Sequence, residues 1–175
     1  AALVIFIFVL GGMSSQLFFA NSQTDSSGDC IVSTPLGSRT FLTLPDKSQV
    51  WLNAGSTLSY SRKFDGKQRR VSLRGEAFFK VKSDKSKPFI VSTKFMDVRA
   101  LGTSFNVKAY DEDPFAVATL LEGSIKVESN NERKKFSYTL VPNQNIIIPS
   151  LAVDIAVQQE KPDESEELTM MKKEI

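Results

Sequence analysis

Between residues 31 and 148 the chain alternates short apolar runs with turn-forming residues. The runs are FLTL (41–44), QVWLN (49–53), STLSY (56–60), RVSLRG (70–75), AFFKV (77–81), FIVST (89–93), VRAL (98–101), SFNVKAY (104–110), FAVATLL (115–121), SIKVE (124–128), FSYTL (136–140) and NIII (145–148). They are rich in β-branched and aromatic residues, the composition of strands. Several alternate strictly, as in Ser124-Ile125-Lys126-Val127-Glu128, which predicts strands with one buried face. No long window in this region carries a helical stripe. Turn signals separate the runs: Pro35-Leu36-Gly37, Pro45-Asp46-Lys47, Phe64-Asp65-Gly66, Asp113-Pro114, Ser129-Asn130-Asn131 and Pro142-Asn143. The pattern predicts an all-β body, a solenoid-like or sandwich-like stack of short strands. Gly75, Gly102 and Gly123 each fall where one run hands over to the next, where a residue without Cβ permits a bend or bulge.

The front of the chain has a different pattern. Residues 1–20, AALVIFIFVLGGMSSQLFFA, carry no charge. About twenty uncharged, mainly apolar residues match the span of a bilayer core, so a transmembrane helix is expected over 1–20. A signal peptide competes with this reading, but no small residue lies three positions before a cut after Ala20. A buried core element is the third reading, and the polar segment that follows at once opposes it. Residues 21–30 are small, polar and turn-prone, and read as a tether. The first residue is Ala1 and no basic residue precedes the apolar run, so the chain reads as a fragment with an upstream part missing. After the β body (31–150), residues 151–175 offer one further strand at 151–157. An acidic stretch follows, which reads as a linker or the truncated start of a second module.

Composition narrows the chemistry. The 175 residues carry a net charge of +2, which gives no global attraction to nucleic acid or an anionic surface. The balance hides a local excess: residues 62–87 hold ten basic and three acidic side chains, net +7. There is no histidine, which removes Ser-His-Asp and Cys-His catalysis and the commonest transition-metal ligand. The one cysteine, Cys30, excludes an internal disulfide and a thiolate cage. It reads as an incidental thiol at the edge of the first strand. A lipid-attached cysteine is the alternative, for which SSGD is a poor preceding signal.

The remaining chemical candidates have plain structural readings. Glu76 would need a partner for acid–base work, and the nearest carboxylates, Asp65 and Asp84, lie in turns. An ion pair with Arg70 or Arg74 is the expectation. Asp111-Glu112-Asp113 lacks the ligand order of a calcium loop and reads as a solvated turn. Trp51, Tyr60, Phe64, Phe78 and Phe79 read as core, with a sugar-binding face as the alternative. The basic stretch, with Phe78 and Phe79 interleaved, has the composition of a single-strand binder, but reads better as a solvated face or a protein-docking patch. No catalytic, cofactor-binding or metal-binding residue is expected, and the protein is read as a non-enzyme without a cofactor.

Six segments in order carry a family pattern: TPLGSRTFLTLPDKSQVWLNAGSTLSY, FDGKQRRVSLRGEAFFKV, KPFIVST, VRALGTSFNVKAY, LLEGSIKV and LVPNQ. Together they closely resemble the periplasmic domain of FecR-type anti-sigma regulators. The resemblance implies a solenoid-like all-β domain in a single-pass inner-membrane protein, with its C-terminal part in the periplasm. It implies two partners: an extracytoplasmic-function sigma factor, bound through a cytoplasmic segment absent here, and the signalling domain of a TonB-dependent transporter that serves iron or nutrient uptake. Nucleic acid is not an expected partner. One departure is Lys47, where the family's Leu-Pro-Asp-Gly turn ends in glycine. The rival from another class is an anchored or secreted domain that binds carbohydrate or peptidoglycan.

Overall fold

The computed structural model describes residues 28–130, 135–149 and 156–159. Every regular element among them is a strand: β1 (Asp29–Ser33), β2 (Thr40–Thr43), β3 (Gln49–Leu52), β4 (Thr57–Ser61), β5 (Arg69–Lys80), β6 (Phe89–Ser92), β7 (Met96–Ala100), β8 (Ser104–Ala109), β9 (Phe115–Glu122), β10 (Ile125–Ser129), β11 (Ser137–Leu140), β12 (Gln144–Pro149) and β13 (Ala156–Gln159). The transmembrane helix expected over 1–20 lies outside the described residues. Among those residues, no helix is long and apolar enough to cross a membrane. The first strand begins at Asp29, so the last two residues of the expected tether belong to the sheet.

β5 organises the architecture. The sequence suggests two strands broken at Gly75, but the structure has one strand of 12 residues that serves two halves of a curled sheet. Its first part pairs with β4 and β6, giving the order β1-β4-β5-β6-β7-β10-β11. Its second part pairs with β3 and β8, giving β2-β3-β5-β8-β9-β12-β13. All these pairings are antiparallel except β5 with β6. The fold is therefore a curled antiparallel sheet and not the parallel rungs of a β-helix. Of the strand expected at 151–157, residues 151–155 lie outside the described residues, and Ala156–Gln159 form β13.

The alternation seen in the sequence sets which side chains meet. Val50, Leu52, Ala77, Phe79, Phe105, Val107, Ala118 and Leu120 point inward from the second half, and Leu58, Val71, Leu73, Phe89, Val91, Val98, Ile125 and Val127 from the first. Both sets join one core. Phe79 stacks on Phe105 at 5.3 Å between centroids and meets Phe89 of the other half at 6.0 Å. Burying each of these rings contributes on the order of 1.5–3 kcal/mol.

The Leu44-Pro45-Asp46-Lys47 turn accommodates its lysine in the left-handed region, at φ 74°. Asp46 supports the turn through its carboxylate, which accepts from the Ser48 amide at 3.0 Å and the Ser48 hydroxyl at 2.6 Å. Lys47 N–H donates to the Leu44 carbonyl at 2.9 Å. These bonds hold a conformation that costs a non-glycine residue roughly 1–2 kcal/mol.

Candidate interaction surface

Two polar nodes brace β5, one beside its bend and one at its start, and both consume residues that the sequence had marked as chemical. The first surrounds Glu76, which is 7% exposed. Oε2 accepts from Asn53 Nδ2 at 3.1 Å, and Oε1 accepts from Asn106 Nδ2 at 2.8 Å. The Glu76 amide donates to Ser56 Oγ at 2.8 Å, and its carbonyl accepts from the Asn53 amide at 2.9 Å. The expected ion pair with Arg70 or Arg74 is not formed. Arg70 pairs instead with Asp97 at 2.9 Å, and the side-chain amides from the β3–β4 turn and from β8 reach the Glu76 carboxylate. Neither Asp65 nor Asp84 bonds Glu76. Asp84 caps its own turn, where bonds from Ser86 first, and from Lys87, hold its carboxyl below the usual range. Glu76 therefore ties the β3–β4 turn to β8. Glu76→Ala is expected to strand both amide donors and lower stability by about 1–3 kcal/mol, read by urea unfolding, with Glu76→Gln milder.

The second node is Arg69, one of the ten cations of the basic stretch. Its side chain is 3% exposed and pairs with Asp46 at 2.7 Å. The guanidinium also donates to the carbonyls of Lys87 at 2.8 Å and Lys82 at 2.9 Å, and lies over the Phe89 ring at 5.6 Å. The basic stretch is thus not one surface. Arg69 is structural, Arg70 and Arg74 project from the first half, Lys80 projects from the second, and the remaining lysines and Arg62 lie in the flanking loops. The aromatic residues interleaved with these cations are both buried, Phe79 in the core and Phe78 at 1% exposure. A single-strand binder needs accessible rings on which bases stack, and these two do not provide them.

The aromatic group from the sequence divides. Phe79 enters the core, with Tyr60 and Phe64 packed against it. Trp51 and Phe78 point the other way, onto the outer face of the second half, with centroids 5.5 Å apart. Phe41 joins them at 5.0 Å from Trp51. The sequence reading missed Phe41, and it missed Asn106, Thr119 and Asn145 on the same face. Of these polar residues, Asn106 alone carried a signal, as the polar member of the alternating strand Ser104–Ala109; Thr119 and Asn145 sit in strands without that alternation. Only the pairing register shows that they form one line.

The other candidates stay apart. Asp113 pairs with Lys108 at 3.9 Å and closes a turn on Tyr110, and no metal-ligating cluster occurs among the described residues. Cys30 is a free thiol in β1 opposite Tyr60, whose hydroxyl is pushed up by burial first and by Cys30 second. An open depression of about 590 Å³ lies beside β7, β10 and β11, lined by Asp97, Glu128, Lys135 and Phe136 among others. Its carboxylates are already engaged, Asp97 by Arg70, and Glu128 by Lys126 and Arg99. Hydrogen bonding to Lys126 is the main reason the Glu128 carboxyl lies below its ordinary value. At the opposite end of the sheet, β1 and β2 are edges among the described residues, with Ile31, Leu36 and Phe41 exposed around them.

The fold and its surfaces define a curled all-β domain whose described residues include two sheet edges and polar nodes that brace β5. The chain belongs to the FecR family: the model of the family described as FecR protein matches residues 31–126. Two crystal structures of a candidate anti-sigma factor from Parabacteroides distasonis are similar to it, each 38% identical. Their TM-scores are 0.72 and 0.71, and the matches cover 76% and 75% of this chain and 61% and 60% of theirs. This chain therefore spans about three fifths of the length of those relatives. No curated protein matches the chain.

Proposed function

We propose that the chain is the sensing part of a single-pass anti-sigma regulator, non-enzymatic and periplasmic, anchored through residues 1–20 in the inner membrane. It would relay a signal from a TonB-dependent outer-membrane transporter to an extracytoplasmic-function sigma factor. The observation that carries this reading is membership of the FecR family, together with 38% identity over 76% of the chain to a protein described as a candidate anti-sigma factor. The polar nodes fit it. Glu76 and Arg69 are satisfied by neighbouring groups and brace the sheet, so the chemistry left to this domain is binding. Occupancy of an outer face or a sheet edge stabilises the folded domain by linkage, and that change in stability or proteolytic exposure is what passes through the anchor.

The test uses the full-length gene product and a reporter driven by the cognate sigma factor. Removing residues 31–148 is expected to change reporter output and abolish its response to the inducing condition. Equal output and equal response with and without these residues would argue against a regulatory role.

A further inference from the structure

One line of side chains crosses the whole outer face of the second half. In register it reads Phe41, Trp51, Phe78, Asn106, Thr119, Asn145 and Gln158. We propose that this line is a binding site for a neutral, linear glycan, with Phe41 and Trp51 as the stacking platform and Asn106 and Asn145 as hydrogen-bonding groups. The inference goes beyond the regulatory reading and does not depend on the sigma partner.

Four observations carry it. First, the line divides by chemistry. Phe41 is 53% exposed and leans on Trp51, with Phe78 buried behind as a support. A pyranose presents a C–H face that packs on such rings by dispersion and apolar contact. Beyond Phe78 the line turns polar: Asn106 and Asn145 are half-buried, Gln158 is exposed, and Thr119, between the two asparagines, is buried. The amides can both donate and accept, as sugar hydroxyls do.

Second, the polar part has unused acceptors. Among the described residues, Asn106 Oδ1 and Asn145 Oδ1 have no hydrogen-bond partner, although neighbouring groups shield them from water. An acceptor left this way costs about 1–3 kcal/mol, and such a group in a folded protein calls for a specific explanation. Sugar hydroxyls entering beside these half-buried residues would supply the missing donors: Asn145 turns its amide toward the ligand, while Asn106 keeps its Nδ2 bond to Glu76 and accepts at Oδ1 once the groups that shield it move aside.

Third, the spacing selects the ligand. Positions along the line advance by the inter-strand distance, about 4.8 Å, close to the advance of one pyranose ring. Same-face side chains of an extended peptide recur at roughly 6.6 Å, so a peptide laid along the line falls out of step. The six steps span about 29 Å, room for several rings.

Fourth, the line itself is neutral. No residue of it is ionisable; of the charged groups flanking it on the same face, Lys108 is engaged by Asp113, the Glu76 carboxylate is closed by two amides, and the exposed Lys80 stands one step from Phe78 toward the strand end. An anionic polymer would find no cation in the line.

The experiment titrates the full chain with cellohexaose, laminarihexaose and N-acetylchitohexaose, following the emission of the sole tryptophan, Trp51, and heat by calorimetry. A saturable emission shift with at least one of them is expected. By calorimetry, Trp51→Ala should weaken that binding about tenfold or more, and Asn145→Ala several-fold, with far-UV circular dichroism unchanged. No binding by any of the three would overturn the proposal. So would binding that Trp51→Ala and Asn145→Ala leave intact, which places the sugar elsewhere. Loss of the dichroism signal in Trp51→Ala leaves Asn145→Ala, near the sheet edge, to decide.

Discussion

Arg69→Ala is expected to lower the stability of the domain by about 3–5 kcal/mol, because removing one member of a buried ion pair leaves the other without compensation. The neighbourhood supports the upper part of that range. The guanidinium satisfies the carbonyls of Lys82 and Lys87 as well as Asp46, so its removal leaves several acceptors without a donor. It also takes a cation from the face of Phe89. Arg69→Met keeps most of the volume but none of the donors, and should be nearly as damaging. Arg70→Ala is the control. Its pair with Asp97 is exposed to solvent, with the arginine side chain 49% accessible, and its loss should change stability by less than about 1 kcal/mol. Urea unfolding of the three variants gives the comparison, and equal effects at the two positions would contradict the structural assignment of Arg69.

The second large effect belongs to Gly75. Its φ of +95° is a conformation that L side chains rarely adopt, and an added Cβ would lie 2.3 Å from Ser56 Oγ and 2.8 Å from Ser56 Cα. The hydroxyl could turn away, but the Cα is backbone. Relief therefore requires the β3–β4 turn to move, and that turn is tied to Glu76 through Asn53 and Ser56. Gly75→Ala should cost more than about 3 kcal/mol, the left-handed penalty and the forced backbone shift acting together. Gly66→Ala tests whether any added methyl has this effect. Its nearest contact is 3.9 Å and its backbone is not left-handed, so a change within about 0.5 kcal/mol is expected. Thermal unfolding of both variants separates a requirement specific to Gly75 from a general sensitivity.

These two positions also show what the sequence revealed and what it concealed. The strands were legible because residues such as Phe105 and Val107 alternate with Ser104, Asn106 and Lys108, and a half-buried strand follows from local pattern alone. Gly75 was legible as a bend, but it was read as lying between two strands and is instead a bend inside one, carrying β5 from the first half of the sheet to the second. That difference depends on which strands flank β5, a non-local fact with no local signature. The same reason explains Glu76 and Arg69. An arginine two positions away in a strand is an obvious partner for a glutamate, but Asn53 and Asn106 lie 23 and 30 residues from it in the chain. Asp46 likewise stands 23 residues from Arg69. The outer aromatic–amide line was the least legible feature, since it joins single residues from seven strands and appears only once every register is known.

The central claim is that this β-domain is the sensing element of a regulator, and the most direct measurement places Gly75→Ala and Gly66→Ala in the full-length gene beside a sigma-dependent reporter. The account predicts that Gly75→Ala uncouples reporter output from the inducing condition, while Gly66→Ala responds as the unaltered gene does. A normal response from Gly75→Ala, in cells where that variant domain is shown to be unfolded, would contradict it.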